Sequence, residues 1–153
     1  MAANGSVGKE LAPQELNAWR GLLRVHRDLV GRLDAELERE HGLPLSSYEV
    51  LMYLAAASGG RLRMGELADA LLLSRSGLTR LVDRLQRQGL VGRERCGDDA
   101  RGYFATITPA GRRLLTKARP THLAGVREHF LRHLSTDDLE ALALAWKRLG
   151  SDT

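Results

Sequence analysis

Between Met64 and Ile107 the sequence sets out two short helices and two short strands, in an order that few folds accommodate. Met64, Leu67, Ala68 and Leu71 recur at helical spacing and mark a short helix ending near Leu71 or Leu72. Ser74 then stands where an N-cap is needed. Leu78, Leu81, Val82 and Leu85 fall at i, i+3, i+4 and i+7, so a second helix is expected from Arg75 to Gln88, closed by Gly89. Ser76, Thr79, Arg80, Asp83 and Arg87 point away from that stripe. Leu90 to Arg95 and Tyr103 to Ile107 have the pattern of strands joined by the turn-rich stretch from Cys96 to Gly102. Two helices across a short turn, followed by a hairpin, make a winged helix-turn-helix whose second helix can enter a major groove.

The flanks are helical. From Pro13 to Glu40 the residues Leu16, Trp19, Leu23, His26, Val30, Leu33 and Leu37 form one face of a long helix, stopped by Gly42 and Pro44. Ser46 with Glu49 three residues later predicts a capping box for a helix over Ser47 to Ala57, ended by Gly59 and Gly60. Arg61 to Arg63 is expected to be a short extended link. Thr108 and Pro109 start a helix reaching toward His133, with a kink or short break at Pro120. Ser135 and Asp138 cap a last helix whose Leu139, Leu142, Trp146 and Leu149 form an apolar stripe in need of a partner.

The expected fold class is therefore mainly α with a small β-hairpin wing, a winged helix-turn-helix plus a helical dimerisation region. Residues 1–12 are expected to be a disordered tail, 13–45 and 109–153 the dimerisation region, and 46–108 the DNA-binding domain. Leu16, Leu139, Leu142, Trp146 and Leu149 are the candidate dimerisation residues.

Charge points to a partner through its position. Formal net charge is +4, with 20 arginines against 3 lysines, and residues 61–101 hold nine arginines against six acids, so +3 of the +4 lies there. Arginine's planar fork suits phosphates and base edges. Arg75, with the free amides beyond the Ser74 cap, suits a phosphate; Arg80 and Arg87, with Ser76 and Thr79, suit base edges or nearby phosphates. Arg84 and Arg95 complete the basic set, and Asp83 is expected to orient a neighbouring arginine. Singly each arginine could be a solvated helix face; a hairpin behind the set favours nucleic acid. No nucleophile elbow, phosphate loop, dinucleotide fingerprint or paired-carboxylate arrangement stands out, so no enzyme and no cofactor are expected.

Glu66-Leu67-Ala68, Leu73-Ser74-Arg75-Ser76, Thr79-Arg80-Leu81-Val82-Asp83-Arg84-Leu85, Gly89-Leu90-Val91, Asp99, Arg101, Thr108 and Gly111 together resemble the MarR family of transcriptional regulators, over nearly all of residues 13–149. The resemblance implies a homodimer interlocked through its first, fifth and sixth helices. It also implies recognition helices in successive major grooves of a pseudo-palindromic operator, wings at the flanking minor grooves, and cytoplasmic gene control; of repressor and activator, a repressor is expected. By the match Asp99 braces the wing and Arg101 enters the minor groove; Ala100 and Gly102 stand where many relatives carry further basic residues.

Such regulators are often released from DNA by a small aromatic or anionic ligand bound between the dimerisation helices and the reading head, and Trp19, His26, Tyr48, Glu49 and Met52 are the candidates for lining that cleft. Two other switches are weaker. His129 and His133 fall four apart on the expected helix, with His122 seven before, but residue 130 is Phe and not the Glu of a metalloprotease helix, and solvated or packing histidines are the expected reading, so no metal is expected. Cys96, the single cysteine, cannot form an intramolecular disulfide, and only its neighbours Arg93 and Arg95 recommend it as a thiol sensor. Nothing in the sequence targets a membrane or export, so a cytoplasmic setting is expected. The alternative functions are a nonspecific architectural DNA-binding protein and a metal-responsive regulator of the same fold.

Overall fold

Each helix starts and stops where a specific group satisfies its orphan backbone. The computed structural model describes residues 10–97 and 102–150, and comprises α1 (Pro13–His41), α2 (Leu45–Ala56), β1 (Arg61–Arg63), α3 (Met64–Ala70), α4 (Arg75–Arg87), β2 (Val91–Arg95), β3 (Tyr103–Ile107), α5 (Pro109–His129) and α6 (Thr136–Gly150). Single 3₁₀ turns at Ser58–Gly60 and Leu131–His133 link the elements beside them. The fold is mainly helical with a small antiparallel sheet, a winged helix-turn-helix carried on long helices.

α1 ends at Gly42, whose φ of 60° lets its amide bond back to the Glu38 carbonyl at 2.8 Å. α2 departs from the expected start. It begins at Leu45, and the Leu45 amide donates to Asp34 Oδ1 at 2.8 Å, so the cap comes from α1 and the Ser46–Glu49 box does not form. Ser47 is buried instead, with Tyr48, Val50, Leu51 and Leu54.

The stretch Arg61–Arg63 is a strand, not a mere link. It pairs antiparallel with β3, Leu62 opposite Ala105, so the sheet has three strands in the order β1-β3-β2. Thr108 fastens this sheet to α5: its amide donates to the Leu90 carbonyl, its hydroxyl to the Gly89 carbonyl at 2.7 Å, and it caps Gly111 at 3.0 Å. α5 then runs unbroken through Pro120 as far as His129.

The C-terminal half of α1 lies along α5, with Leu33, Leu37, Leu115 and Ala118 in the core. Thr121 on α5 donates its one hydroxyl proton to Glu40 Oε2 at 2.9 Å, so His41 Nε2, 2.8 Å away, must donate to Thr121. That bond and the one from Arg39 hold the Glu40 carboxyl below its ordinary pKa. One turn further Gly125 admits Leu33 and Glu36 closely, and beyond it His129 Nε2 meets Glu36 Oε1 at 2.6 Å.

The N-terminal half of α1 and all of α6 are different. Of the α1 stripe only Leu33 and Leu37 are buried; Leu16 is half-buried, and Trp19, Leu23, His26 and Val30 are exposed. α6 is capped by the reciprocal Ser135–Asp138 bonds and buries none of its residues. Leu142 is half-buried, while Leu139, Trp146 and Leu149 stand exposed, Leu149 to 64%.

Candidate nucleic-acid interface

α4 presents its polar side chains because its other face is locked into the core. Leu78, Leu81, Val82 and Leu85 are buried against the rest of the head, and Ser76, Thr79, Arg80 and Arg87 are exposed. Ser74 caps the helix, its Oγ accepting the Gly77 amide at 3.1 Å. Arg75 is exposed in the first turn, beside amides that have no intrahelical partner.

The acid on this face is neutralised from the sheet. Asp83 Oδ1 lies 2.6 Å from Arg93 Nη1, and Arg93 Nη2 donates to the Thr79 carbonyl at 3.4 Å. Period-two geometry explains the reach: Val91, Arg93 and Arg95 share one face of β2, opposite Ile107, Ala105 and Tyr103 of β3. The pair ties the hairpin to α4. Among the described residues Arg75, Arg80 and Arg87 enter no ion pair, so the outer face of α4 carries uncompensated positive charge.

Arg84 has a different outlook. Its Nη2 donates to the buried Ser47 Oγ at 3.2 Å, which braces α4 against α2. Arg95 is exposed at the end of β2. Asp99 and Arg101, assigned to the wing by resemblance, lie outside the described residues.

Beside α4 runs a groove of about 1040 Å³, bounded by the start of α3 and the hairpin, with Arg63, Arg75, Thr79, Arg93 and Tyr103 among its walls. The guanidinium of Arg63 sits 5.5 Å and that of Arg61 4.8 Å from the Phe104 ring centre. Arg61 also pairs with Glu94 at 3.4 Å. Sequence spacing does not single out Arg63 or Arg93; for Arg93 the available signal is the alternation within β2.

The five cleft candidates fall into two groups. Tyr48 is buried, its ring 4.5 Å from that of His122 on α5, and burial pushes its hydroxyl pKa up. Glu49, half-buried, has its carboxyl pKa raised by burial too, and Met52 is 38% exposed. Trp19 and His26 lie on the exposed half of α1, Trp19 about 22 Å along the helix axis from Asp34, which holds the start of α2. Within one chain no described hydrogen bond or ring contact joins them to Tyr48, Glu49 or Met52.

The histidine arrangement is corrected by the end of α5. The helix stops at His129 because Phe130 leaves helical geometry (φ −126°, ψ −65°), so His133 sits in a separate 3₁₀ turn and the two are not successive turns of one helix. His129 is engaged by Glu36. Among the described residues no three His, Cys, Asp or Glu side chains gather as a metal site. Cys96 is buried, and its amide donates to the Gly102 carbonyl at 2.9 Å, closing the base of the hairpin loop.

Known proteins share this arrangement. A MarR family model matches residues 41–102. The HTH-type transcriptional regulator MhqR of Bacillus subtilis is 30% identical over 129 residues, 84% of this chain and 86% of that one. Among solved structures, AbsC of Streptomyces coelicolor, a MarR family transcriptional regulator, is 36% identical with a TM-score of 0.88, covering 95% of this chain and 97% of its own. Sco3205 from the same organism, a MarR family regulator solved in complex with DNA, is 32% identical with a TM-score of 0.89, covering 95% and 91%.

Proposed function

This chain belongs to the MarR family of transcriptional regulators, and from that premise we propose that it binds double-stranded DNA as a homodimer, sequence-specifically, at a pseudo-palindromic operator. It is a regulator and not an enzyme. α4 would lie in the major groove with Arg80 and Arg87 toward base edges and phosphates, Arg75 and the start of the helix on a phosphate, and the hairpin at the flanking minor groove. The observation that supports this most is the Asp83–Arg93 pair, because it neutralises the carboxylate carried by α4 itself, while Arg75, Arg80 and Arg87 enter no ion pair among the described residues.

The dimer reading rests on apolar surface. Trp19, Leu23 and Val25 on α1 and Leu139, Trp146 and Leu149 on α6 are exposed in a single chain, and a second chain is the economical cover. Residues 13–45 and 109–153 would then be the dimerisation region and 46–108 the reading head. A dimer also places two reading helices on half-sites about 34–36 Å apart. The regulator would act as a repressor in the cytoplasm, released by a small aromatic or anionic ligand near Tyr48, Glu49 and Met52. Trp19 and His26 would join that site only through the second chain.

Selection from a random-sequence duplex library tests this. The expected product is a two-fold-related site protected by two chains; recovery of unenriched sequence removes the proposal.

A further inference from the structure

The turn between α3 and α4 holds a leucine where the backbone favours glycine. The Leu73 amide donates to the Ala68 carbonyl at 2.9 Å and the Leu72 amide to the Asp69 carbonyl at 3.2 Å, the two bonds that close a helix around a left-handed residue. Leu72 takes that conformation, with φ of 54°. Among the described residues it is the one non-glycine with positive φ; the others are Gly42, Gly59, Gly60 and Gly89. A branched side chain there is strained. Leu72 is also 93% exposed, more than any other large apolar residue described, so burial does not offset the strain.

We propose that Leu72 is a specificity-determining contact of the DNA site, its isobutyl group meeting the C5-methyl of a thymine in the major groove beside the start of α4. This rests on the DNA-binding reading above. Leu72 stands in the turn after α3, two residues before Ser74, the N-cap of the helix α4 that carries Arg75, Ser76 and Arg80. The N-terminal part of a recognition helix is the part that approaches base edges. Thymine's methyl is the apolar group on the major-groove edge, and contact with it needs no hydrogen bond, which a leucine side chain cannot make. A protein partner is a poorer fit, since the exposed pair Leu72 and Leu73 beside Ser74 and Arg75 is far smaller than a stable protein interface.

The test compares wild type, Leu72→Asn and Leu72→Ala on the duplex that wild type selects. Asparagine tolerates the left-handed backbone, so Leu72→Asn is expected to raise Tm, while Leu72→Ala keeps the strain and loses only the side chain's reach. Both are expected to bind the selected duplex about tenfold more weakly and scrambled duplex as before. Replacing thymines singly by uracil removes one methyl at a time. At one position per half-site this is expected to weaken wild type about five- to tenfold and leave both variants unchanged. Variants that bind the selected duplex as tightly as wild type, or a uracil effect equal in all three proteins, overturn the proposal. If wild type selects no duplex at all, the DNA-binding reading has failed, before any Leu72 variant is involved.

Discussion

Asp83 on α4 and Arg93 on β2 form an ion pair at 2.6 Å, so the acid of the reading helix is held by the wing that lies beside it. The partners are only partly exposed, 42% for the Asp83 side chain and 24% for Arg93. Removing Arg93 leaves a bare carboxylate on the face proposed to meet DNA. Arg93→Ala is expected to cost at most about 1 kcal/mol of folding stability but to weaken DNA binding clearly, and Asp83→Asn added to it should restore much of the affinity. Fluorescence anisotropy on labelled duplex measures both; a double variant that binds no better than Arg93→Ala refutes the neutralising role.

Arg80 projects from the outer face of α4 with no described ion-pair partner. Arg80→Ala is expected to cost about 1–3 kcal/mol on the selected operator and to relax preference at one base position per half-site. A loss spread evenly over all sequences would make Arg80 a phosphate contact instead.

Gly111 sits where α5 leaves the sheet. A Cβ there would run into the Leu90 carbonyl oxygen and lie 3.0 Å from Ile107 Cγ1, and backbone cannot move aside as a side chain can. Gly111→Ala is expected to destabilise by about 1–3 kcal/mol. Gly65→Ala is the control: nothing lies within 4 Å of its Cβ, so a gain of about 0.5–1 kcal/mol is expected from the helix backbone. Urea denaturation of the two variants gives the comparison, and equal midpoints would count against the close packing at Gly111.

His122 stacks on Tyr48, its Nδ1 buried without a partner, and burial holds its pKa below the ordinary 6.5. The fold therefore keeps this imidazole neutral, while the unfolded chain takes up a proton as pH falls through about 6.5. Its contribution is complete above that value and is lost progressively below it, down to the depressed folded-state pKa. His122→Phe keeps a ring against Tyr48 and removes the proton site, so its stability should fall less between pH 7.5 and pH 5. Parallel declines in urea titrations of both proteins would exclude His122 as a source of acid sensitivity.

What the sequence made legible depended on how local the cause was. The α4 stripe, the Ser74, Thr108 and Ser135 caps and the β2–β3 hairpin arise within a few residues, and they stand where the spacing puts them. The start of α2 does not, because Asp34 captures the Leu45 amide from eleven residues away and outcompetes a good local box at Ser46 and Glu49. β1 is three residues long, too short to show a period, and it is a strand only because β3 pairs with it. The candidate interface divides in the same way. Arg75, Arg80 and Arg87 follow from helical periodicity, whereas Arg93 and the bracing of Arg84 by Ser47 depend on contacts between elements. Leu72 has no sequence signature, since a leucine in a left-handed turn is what local preference argues against.

The most direct measurement is competition binding at physiological salt, with chain stoichiometry, between the selected operator and the same duplex scrambled. The expected result is two chains per operator and a preference of at least about 10³-fold over scrambled DNA. Equal affinity for both duplexes, or a single chain bound, would contradict a two-fold reading of sequence by α4.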